Sequence, residues 1–290
     1  MKISILIPTF NNLSYLKFFL NSINKNSLFE HEVIIHVNDG SDGTLDFVKK
    51  NNLKFTYSKE NIGMCTSMNK AYKISTSNFI LYAHDDMYFC KNWDKYLIEE
   101  INNQKTNSYY LSGTNVSTRF GLINYNCGET LENFDENKFL KFCIDDKTPD
   151  LQSSHWAPHL IHKELWDKIG GFSEEFNPGD GSDPDFCMKL WLKNVRIFKG
   201  ISKFKVYHFN SLTTRNNKVK LNNGTKIFLL KYGFNPKFFR KYYLKGNNSI
   251  IPYKGILDEP KYNLSMYIEL TINKLKYLFY KFKYSHIWSK

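Results

Sequence analysis

The 290-residue chain has no apolar run approaching 18 residues, no Cys-x-x-Cys pair, no Gly-x-Gly-x-x-Gly and no internal repeat. The missing apolar run, together with a mean hydropathy of -0.47, argues against a membrane-spanning helix. Five cysteines, Cys65, Cys90, Cys127, Cys143 and Cys187, are odd in number and widely scattered. That pattern argues against a disulfide framework and a structural zinc site, and reduced thiols are expected. Without a glycine fingerprint after the first apolar segment, no dinucleotide-binding turn is expected there. Met1-Lys2 leads directly into Ile3-Ser4-Ile5-Leu6-Ile7-Pro8, too short and too soon broken by proline for a signal peptide, so a cytoplasmic location is expected. Acidic residues run short in one place only. Residues 1–215 hold 25 Lys+Arg and 25 Asp+Glu, whereas residues 216–290 hold 15 and 3, so the whole net charge of +12 lies in the last 75 residues.

What is present points to a folded α/β protein. Hydrophobic content of 42% and aromatic content of 17% suffice for a sizeable core in one large domain with an appendage, or two small ones. The division expected is a body at 1–215 and a basic, aromatic-rich helical extension at 216–290. Strand and helix signals alternate along the first hundred residues. Strands are expected at 3–8, 33–38, 54–57 and 79–83, with helices at 13–23 and 63–74. Such alternation predicts a mostly parallel sheet flanked by helices. Residues 113–150 are polar and without period, which suggests a functional loop or mobile insertion. Helices follow at 163–169 and 185–193, and strands at 195–198 and 205–209.

The most informative feature is a pair of carboxylates, Asp85 and Asp86, directly after the apolar run Phe79-Ile80-Leu81-Tyr82-Ala83. Ligands of parallel sheets bind beyond the carboxyl ends of the strands. Two adjacent anions repel, so a divalent cation holding phosphates is the chemistry that such a pair suits. The alternative is an ordinary acidic loop. In a parallel sheet the loops Pro8-Thr9-Phe10-Asn11, Asn38-Asp39-Gly40-Ser41-Asp42-Gly43 and His84-Asp85-Asp86 lie on one edge, where they can form a nucleotide site.

The ordered set of Ile5-Leu6-Ile7-Pro8-Thr9-Phe10-Asn11, Asn38-Asp39-Gly40-Ser41-Asp42-Gly43-Thr44, Asn61-Ile62-Gly63 with Asn69, His84-Asp85-Asp86, Gly170-Gly171-Phe172 and Ser182-Asp183-Pro184-Asp185 resembles the family 2 glycosyltransferases of the GT-A fold, over roughly residues 1–210. The resemblance implies an inverting transfer from a nucleotide-sugar donor, with a UDP-sugar favoured. It implies that Asp39 binds the base, Asp85 faces the ribose and Asp86 coordinates Mn²⁺ or Mg²⁺ on the diphosphate. Pro8, Thr9, Asn11, Asn61, Gly63 and Asn69 complete the implied nucleotide site, and Asp183 is the implied catalytic base. His208 is a second implied metal ligand, with a core or surface histidine as the alternative. A glycan or lipid-linked acceptor in surface polysaccharide, lipopolysaccharide or glycoprotein glycan synthesis fits the family. Two departures stand out: Ser182 replaces the Glu that commonly precedes the base, and Met68 replaces a common Arg before Asn69.

Three features carry more than one reading. Asp183 before Pro184 also suits a helix N-cap. His155, His159 and His162 suggest a metal cluster, yet Pro158 interrupts helical spacing and no carboxylate or cysteine joins them, so ordinary histidines in a loop and strand are preferred. In 263–288, Leu264, Ile268, Ile272, Leu275, Phe279 and Phe282 recur at helical spacing among Lys274, Lys276, Lys281 and Lys283, with Leu278 and Trp288 nearby. This suits a helix on the anionic inner face of the plasma membrane, or one packed on the body with a solvated lysine face. Two other function classes compete. A sugar nucleotidyltransferase would be expected to show a Gly- and Lys/Arg-rich phosphate loop near the N-terminus, which is absent. A degenerate domain acting as an interaction protein is disfavoured by the joint presence of Asp39, Asp85, Asp86 and Asp183. No nucleic-acid partner is expected.

Overall fold

The computed structural model describes residues 1–119, 121–153, 156–209, 220, 222–247 and 249–284. The chain begins β1(Ser4–Phe10), α1(Leu13–Asn26), β2(Glu32–Asn38), α2(Thr44–Lys50), β3(Lys54–Ser58), α3(Met64–Tyr72), β4(Phe79–Tyr82), β5(Met87–Phe89), α4(Trp93–Asn103) and β6(Tyr109–Ser117). It continues with β7(Ile123–Asn124), α5(Glu136–Asp145), β8(Leu151–Gln152), β9(His159–His162), α6(Lys163–Ile169), α7(Ser182–Leu192) and β10(Ile197–His208). Three helices follow among the described residues: α8(Gly224–Tyr232), α9(Pro236–Tyr242) and α10(Leu264–Tyr284).

The ten strands among the described residues join one sheet in the order β3-β2-β1-β4-β9-β6-β10-β5, with β7 beside β6 and β8 beside β10. Strands β3, β2, β1 and β4 run parallel, as do β6 and β10. Between these two groups β9 runs antiparallel to both β4 and β6, so the sheet is mixed. Burial on both faces explains the composition of β1: Ile5, Leu6 and Ile7 are all fully buried, which calls for a continuous apolar run rather than alternation. Register aligns Phe10 with Asn38 and Asn38 with Ser58, so the loops after β1, β2 and β3 open on one edge.

Two expectations are corrected. Residues 113–150 are not one irregular loop, because they contain the end of β6 and all of β7 and α5. The end of β6 is polar because Thr114 Oγ1 donates to the Ile201 carbonyl at 2.9 Å and the Asn115 amide meets His208. The late strands at 195–198 and 205–209 are one strand, β10, whose register with β6 shifts between Ile201 and Lys205; Gly200, Ser202 and Lys203 interrupt the apolar pattern there.

The extension is built onto the body. Asn223 and Asn235 cap α8 and α9, accepting from the Lys226 and Phe238 N–H groups at 3.0 and 2.8 Å. Phe228, Phe238, Phe239 and Leu257 enter the same buried cluster as the sheet residues. Gly224 lies against the turn before α7, where an added Cβ would meet the Asp180 carbonyl at 2.0 Å. No helix among the described residues is long and apolar enough to cross a membrane.

Candidate active site

The loops after β1 and β2 are tied together by side chains. Asn11 Nδ2 donates to Asp39 Oδ2 at 2.8 Å, and Asn11 Oδ1 accepts from the Gly40 N–H at 3.0 Å. Ser41 Oγ adds a second donor to Asp39 Oδ2 at 3.1 Å. Asn11 and Asp39 hold left-handed backbone, with φ of 45° and 60°, a conformation that Asn and Asp tolerate better than most residues. Beneath them the buried amide of Asn38 donates to the Thr9 carbonyl and to Ser67 Oγ, and accepts from the Ile62 N–H at 3.0 Å. Asn38 is the hub of this edge.

Asn61 and Gly63 flank Ile62, whose N–H bonds Asn38, while Asn69 bonds the turn after α6. Asn61 Oδ1 accepts from the Gly63 N–H. Gly63, at φ 80°, has no room for a Cβ, which would meet Asn177 Oδ1 at 2.4 Å. Asn177 in turn accepts from the N–H groups of Cys65 and Thr66 at the start of α3. The Asn69 amide is held at both ends by the Phe172 backbone, at 2.8 and 2.9 Å, so it pins the Gly170-Gly171-Phe172 turn to α3.

The acid pair follows β4, and its two members differ. Asp85 is buried with Oδ2 lacking a hydrogen-bond partner; burial, then the charge of Asp86, push its carboxyl up against the pull of Thr9 and Asn12. Asp86 is just as buried, but the charge and hydrogen bond of His208, with His84 behind, outweigh burial and hold it down. The antiparallel pairing of β5 with β10 sets His208 opposite Met87, which brings His208 Nε2 to 3.0 Å from Asp86 Oδ1. His84 Nδ1 lies 3.3 Å from His208 Nε2 and 4.0 Å from Asp86 Oδ1. The outer nitrogens are fixed as well: Tyr82 OH lies 2.6 Å from His84 Nε2, and Asn115 Nδ2 lies 3.0 Å from His208 Nδ1. An outer bond of this kind orients the His84 imidazole for metal binding; His208 is oriented likewise with the Asn115 amide turned so that Oδ1, which has no hydrogen-bond partner, accepts from Nδ1–H.

One carboxylate oxygen and two imidazole nitrogens thus converge, all within 4.8 Å of one another. Neighbouring ligands of an octahedral ion, each about 2.1 Å from it, sit about 3 Å apart, so the 3.0 and 3.3 Å separations fit a divalent ion with little movement. His84 is not among the site residues that the sequence implies, although it belongs to the His84-Asp85-Asp86 segment. Its signal is the imidazole one residue before the acid pair. His155 lies outside the described residues, while His159 and His162 join no metal-grade group among them.

Asp183 is placed by the first turn of α7. The residue before this helix is Gly181, at φ 83°, and no side chain caps it. The cap arrangement is therefore not adopted, and Asp183 Oδ1 has no hydrogen-bond partner. The side chain is 19% exposed and lies 4.0 Å from His159 Nδ1. Burial raises its carboxyl to about 7, with His208 pulling the other way. His159 is enclosed by the rings of Tyr82, Tyr110, Phe172 and Phe186, and burial lowers it to about 3. It is a neutral neighbour of the carboxylate. Ser182 spends its hydroxyl on the Gly179 carbonyl at 2.6 Å.

These features, a GT-A sheet with an acid pair at its open edge, define a class that the comparisons refine. Residues 4–165, more than half of the chain, match the family model Glycosyl transferase family 2, and the chain belongs to that family. Asp183 and His208 lie beyond the matched span. The fold is similar to S. aureus TarS 1-349 in complex with UDP, with TM-score 0.53 and 22% identity over 71% of this chain and 60% of that one. It is similar to TarS 1-349 in complex with UDP-GlcNAc, with TM-score 0.51 and 22% identity over 73% and 61%. It is also similar to GalNAc-T7 with UDP, GalNAc and Mn²⁺, with TM-score 0.58 and 13% identity over 83% and 50%. The chain thus spans about 60% of the TarS fragment and half of GalNAc-T7. No curated protein matches the chain.

Proposed function

We propose that the chain is an inverting glycosyltransferase that moves a sugar from a UDP-sugar to a hydroxyl of a glycan or lipid-linked acceptor in surface polysaccharide, lipopolysaccharide or glycoprotein glycan synthesis. One observation carries the reading: His84, Asp86 and His208 form a metal-grade triad beside the nucleotide edge, with the unpartnered carboxylate of Asp183 close enough to feel His208. UDP in the structures of TarS and GalNAc-T7 supports the donor nucleotide. The five cysteines, none of them in a disulfide, support a cytoplasmic setting.

The roles are those that the resemblance implies, and the positions of these residues support them. Asp39, oriented by Asn11, accepts from a base N–H, and Asp85 accepts from ribose hydroxyls. His84, Asp86 and His208 would hold Mn²⁺ in preference to Mg²⁺, since two imidazole nitrogens suit Mn²⁺ better than an ion that demands oxygen. A divalent ion bound there would supply Lewis-acid neutralisation of charge on the diphosphate. Asp183 takes the acceptor hydroxyl proton as that oxygen attacks the anomeric carbon. The carbon–oxygen bond to the diphosphate breaks, its electron pair leaves with UDP, and configuration inverts. No covalent carboxylate intermediate is needed, in contrast to a retaining glycosidase. Thermal-shift measurements with UDP, GDP, dTDP and CMP, each with and without Mn²⁺, test the donor assignment, because a ligand of the native state alone raises stability by mass action. UDP with Mn²⁺ is expected to give the largest shift. A larger shift with another nucleotide, or none with any, would overturn the assignment.

A further inference from the structure

The helix α10 shows the solvent the face that a packed helix would bury. Its inward side is fixed by contacts: Met266 and Asn273 are buried, Asn273 Oδ1 accepts from the Asn235 N–H at 3.1 Å, and Tyr242 OH donates to Glu269 at 3.0 Å. Lys226 sits over the Tyr280 ring at 5.4 Å. These contacts seat α10 on α8 and α9. The stripe expected from helical spacing therefore points away from the body, and Leu264, Ile268, Ile272, Leu275, Phe279 and Phe282 are 47–80% exposed.

We propose that α10 is a membrane-surface anchor that lays this stripe on an anionic lipid bilayer. At 100° per residue, Lys274 and Lys281 border the stripe on one side and Lys276 and Lys283 on the other. All four are exposed. The one acidic residue of the helix, Glu269, is engaged on the inward side by Lys241 and Tyr242. An apolar centre between two cationic margins matches the acyl boundary and anionic headgroups of a bilayer. The helix has 21 residues, roughly 30 Å, and it lies on the membrane because it is too polar to cross. A second copy fits less well, since pairing two stripes would bring lysine margins together and like charges across an interface repel.

The test is co-sedimentation of the full chain with phosphatidylglycerol–phosphatidylcholine vesicles and with phosphatidylcholine vesicles. The protein is expected to pellet with the anionic vesicles at low salt and to be released at about 1 M salt, where the screening length falls to about 3 Å. The Ile268→Glu/Leu275→Glu variant is expected to lose at least tenfold in vesicle affinity with its melting temperature and UDP binding unchanged, since both side chains are exposed. Lys274→Glu/Lys281→Glu is expected to lose the preference for anionic vesicles. Failure of the wild type to pellet with anionic vesicles at low salt overturns the proposal, as does undiminished binding of the Ile268→Glu/Leu275→Glu variant. Light scattering from a dimer that this variant dissolves, with no vesicle uptake by the wild type, would assign the stripe to a second copy. None of these results bears on the donor chemistry.

Discussion

His84 Nδ1 and His208 Nε2 stand 3.3 Å apart although 124 residues separate them in the chain. Burial and the charge of His208 lower His84 to about 4. These two nitrogens, with Asp86 Oδ1, converge as the ligands of a divalent ion do. His208→Ala is expected to weaken Mn²⁺ binding at least tenfold while leaving UDP affinity in chelator unchanged, as measured by calorimetry.

Asp183→Asn separates chemistry from stability. Loss of the base is expected to lower transfer by about a hundredfold or more. Folding should not suffer, because the carboxylate caps nothing. Its folded value near 7 lies above the ordinary 3.8, so the native state binds the extra proton and its stability falls as pH rises from about 4 to 7. The Asn variant is spared this, so its melting temperature relative to wild type should be higher at pH 8 than at pH 4.5.

The same carboxyl is expected to set the pH dependence of turnover. The base acts when deprotonated, so kcat/KM for the acceptor is expected to rise tenfold per pH unit below about 7 and to level above it. A profile flat between pH 5 and 8 would remove Asp183 from the role.

Glu32 locks the opposite end of the sheet. It accepts from Lys54 at 2.6 Å and from the Thr76 N–H and hydroxyl at 2.9 Å each, and it also bonds Ser4. Burial raises this carboxyl, but those partners outweigh it and lower the group to about 2. The resulting stability is present above the ordinary value of 4.5 and is lost as pH falls toward 2. Glu32→Gln is expected to lower stability at pH 7 by about 1–3 kcal/mol, with the difference shrinking in acid when followed by denaturant unfolding.

The parallel half of the sheet was legible because β1 and β4 are continuous apolar runs, each followed by a polar loop. The strand β6 was hidden by Ser112, Gly113, Thr114 and Asn115, polar or small positions that serve neighbouring strands and His208. The approach of His208 to Asp86 depends on the β5–β10 pairing, and no local pattern announces a pairing so distant in the chain. Spacing identified the stripe on α10 correctly, but it could not say which way the stripe faces. That follows from Asn235, Tyr242 and Lys226 on other helices. Trp288 lies outside the described residues.

Asn69 illustrates a residue whose work is done through backbone. With both ends of its amide held by Phe172, Asn69→Ala is expected to cost about 1–3 kcal/mol of stability and to leave UDP affinity within about twofold, by denaturant unfolding and calorimetry respectively.

The central claim is that His84, Asp86 and His208 hold a divalent ion that in turn holds the donor diphosphate. Calorimetric titration of UDP into the wild type and into Asp86→Ala, each with Mn²⁺ and with chelator, tests it most directly. The account predicts that Mn²⁺ strengthens UDP binding at least tenfold in the wild type and not at all in Asp86→Ala, with both proteins equally folded. Equal UDP affinity in the wild type with and without Mn²⁺ would contradict it.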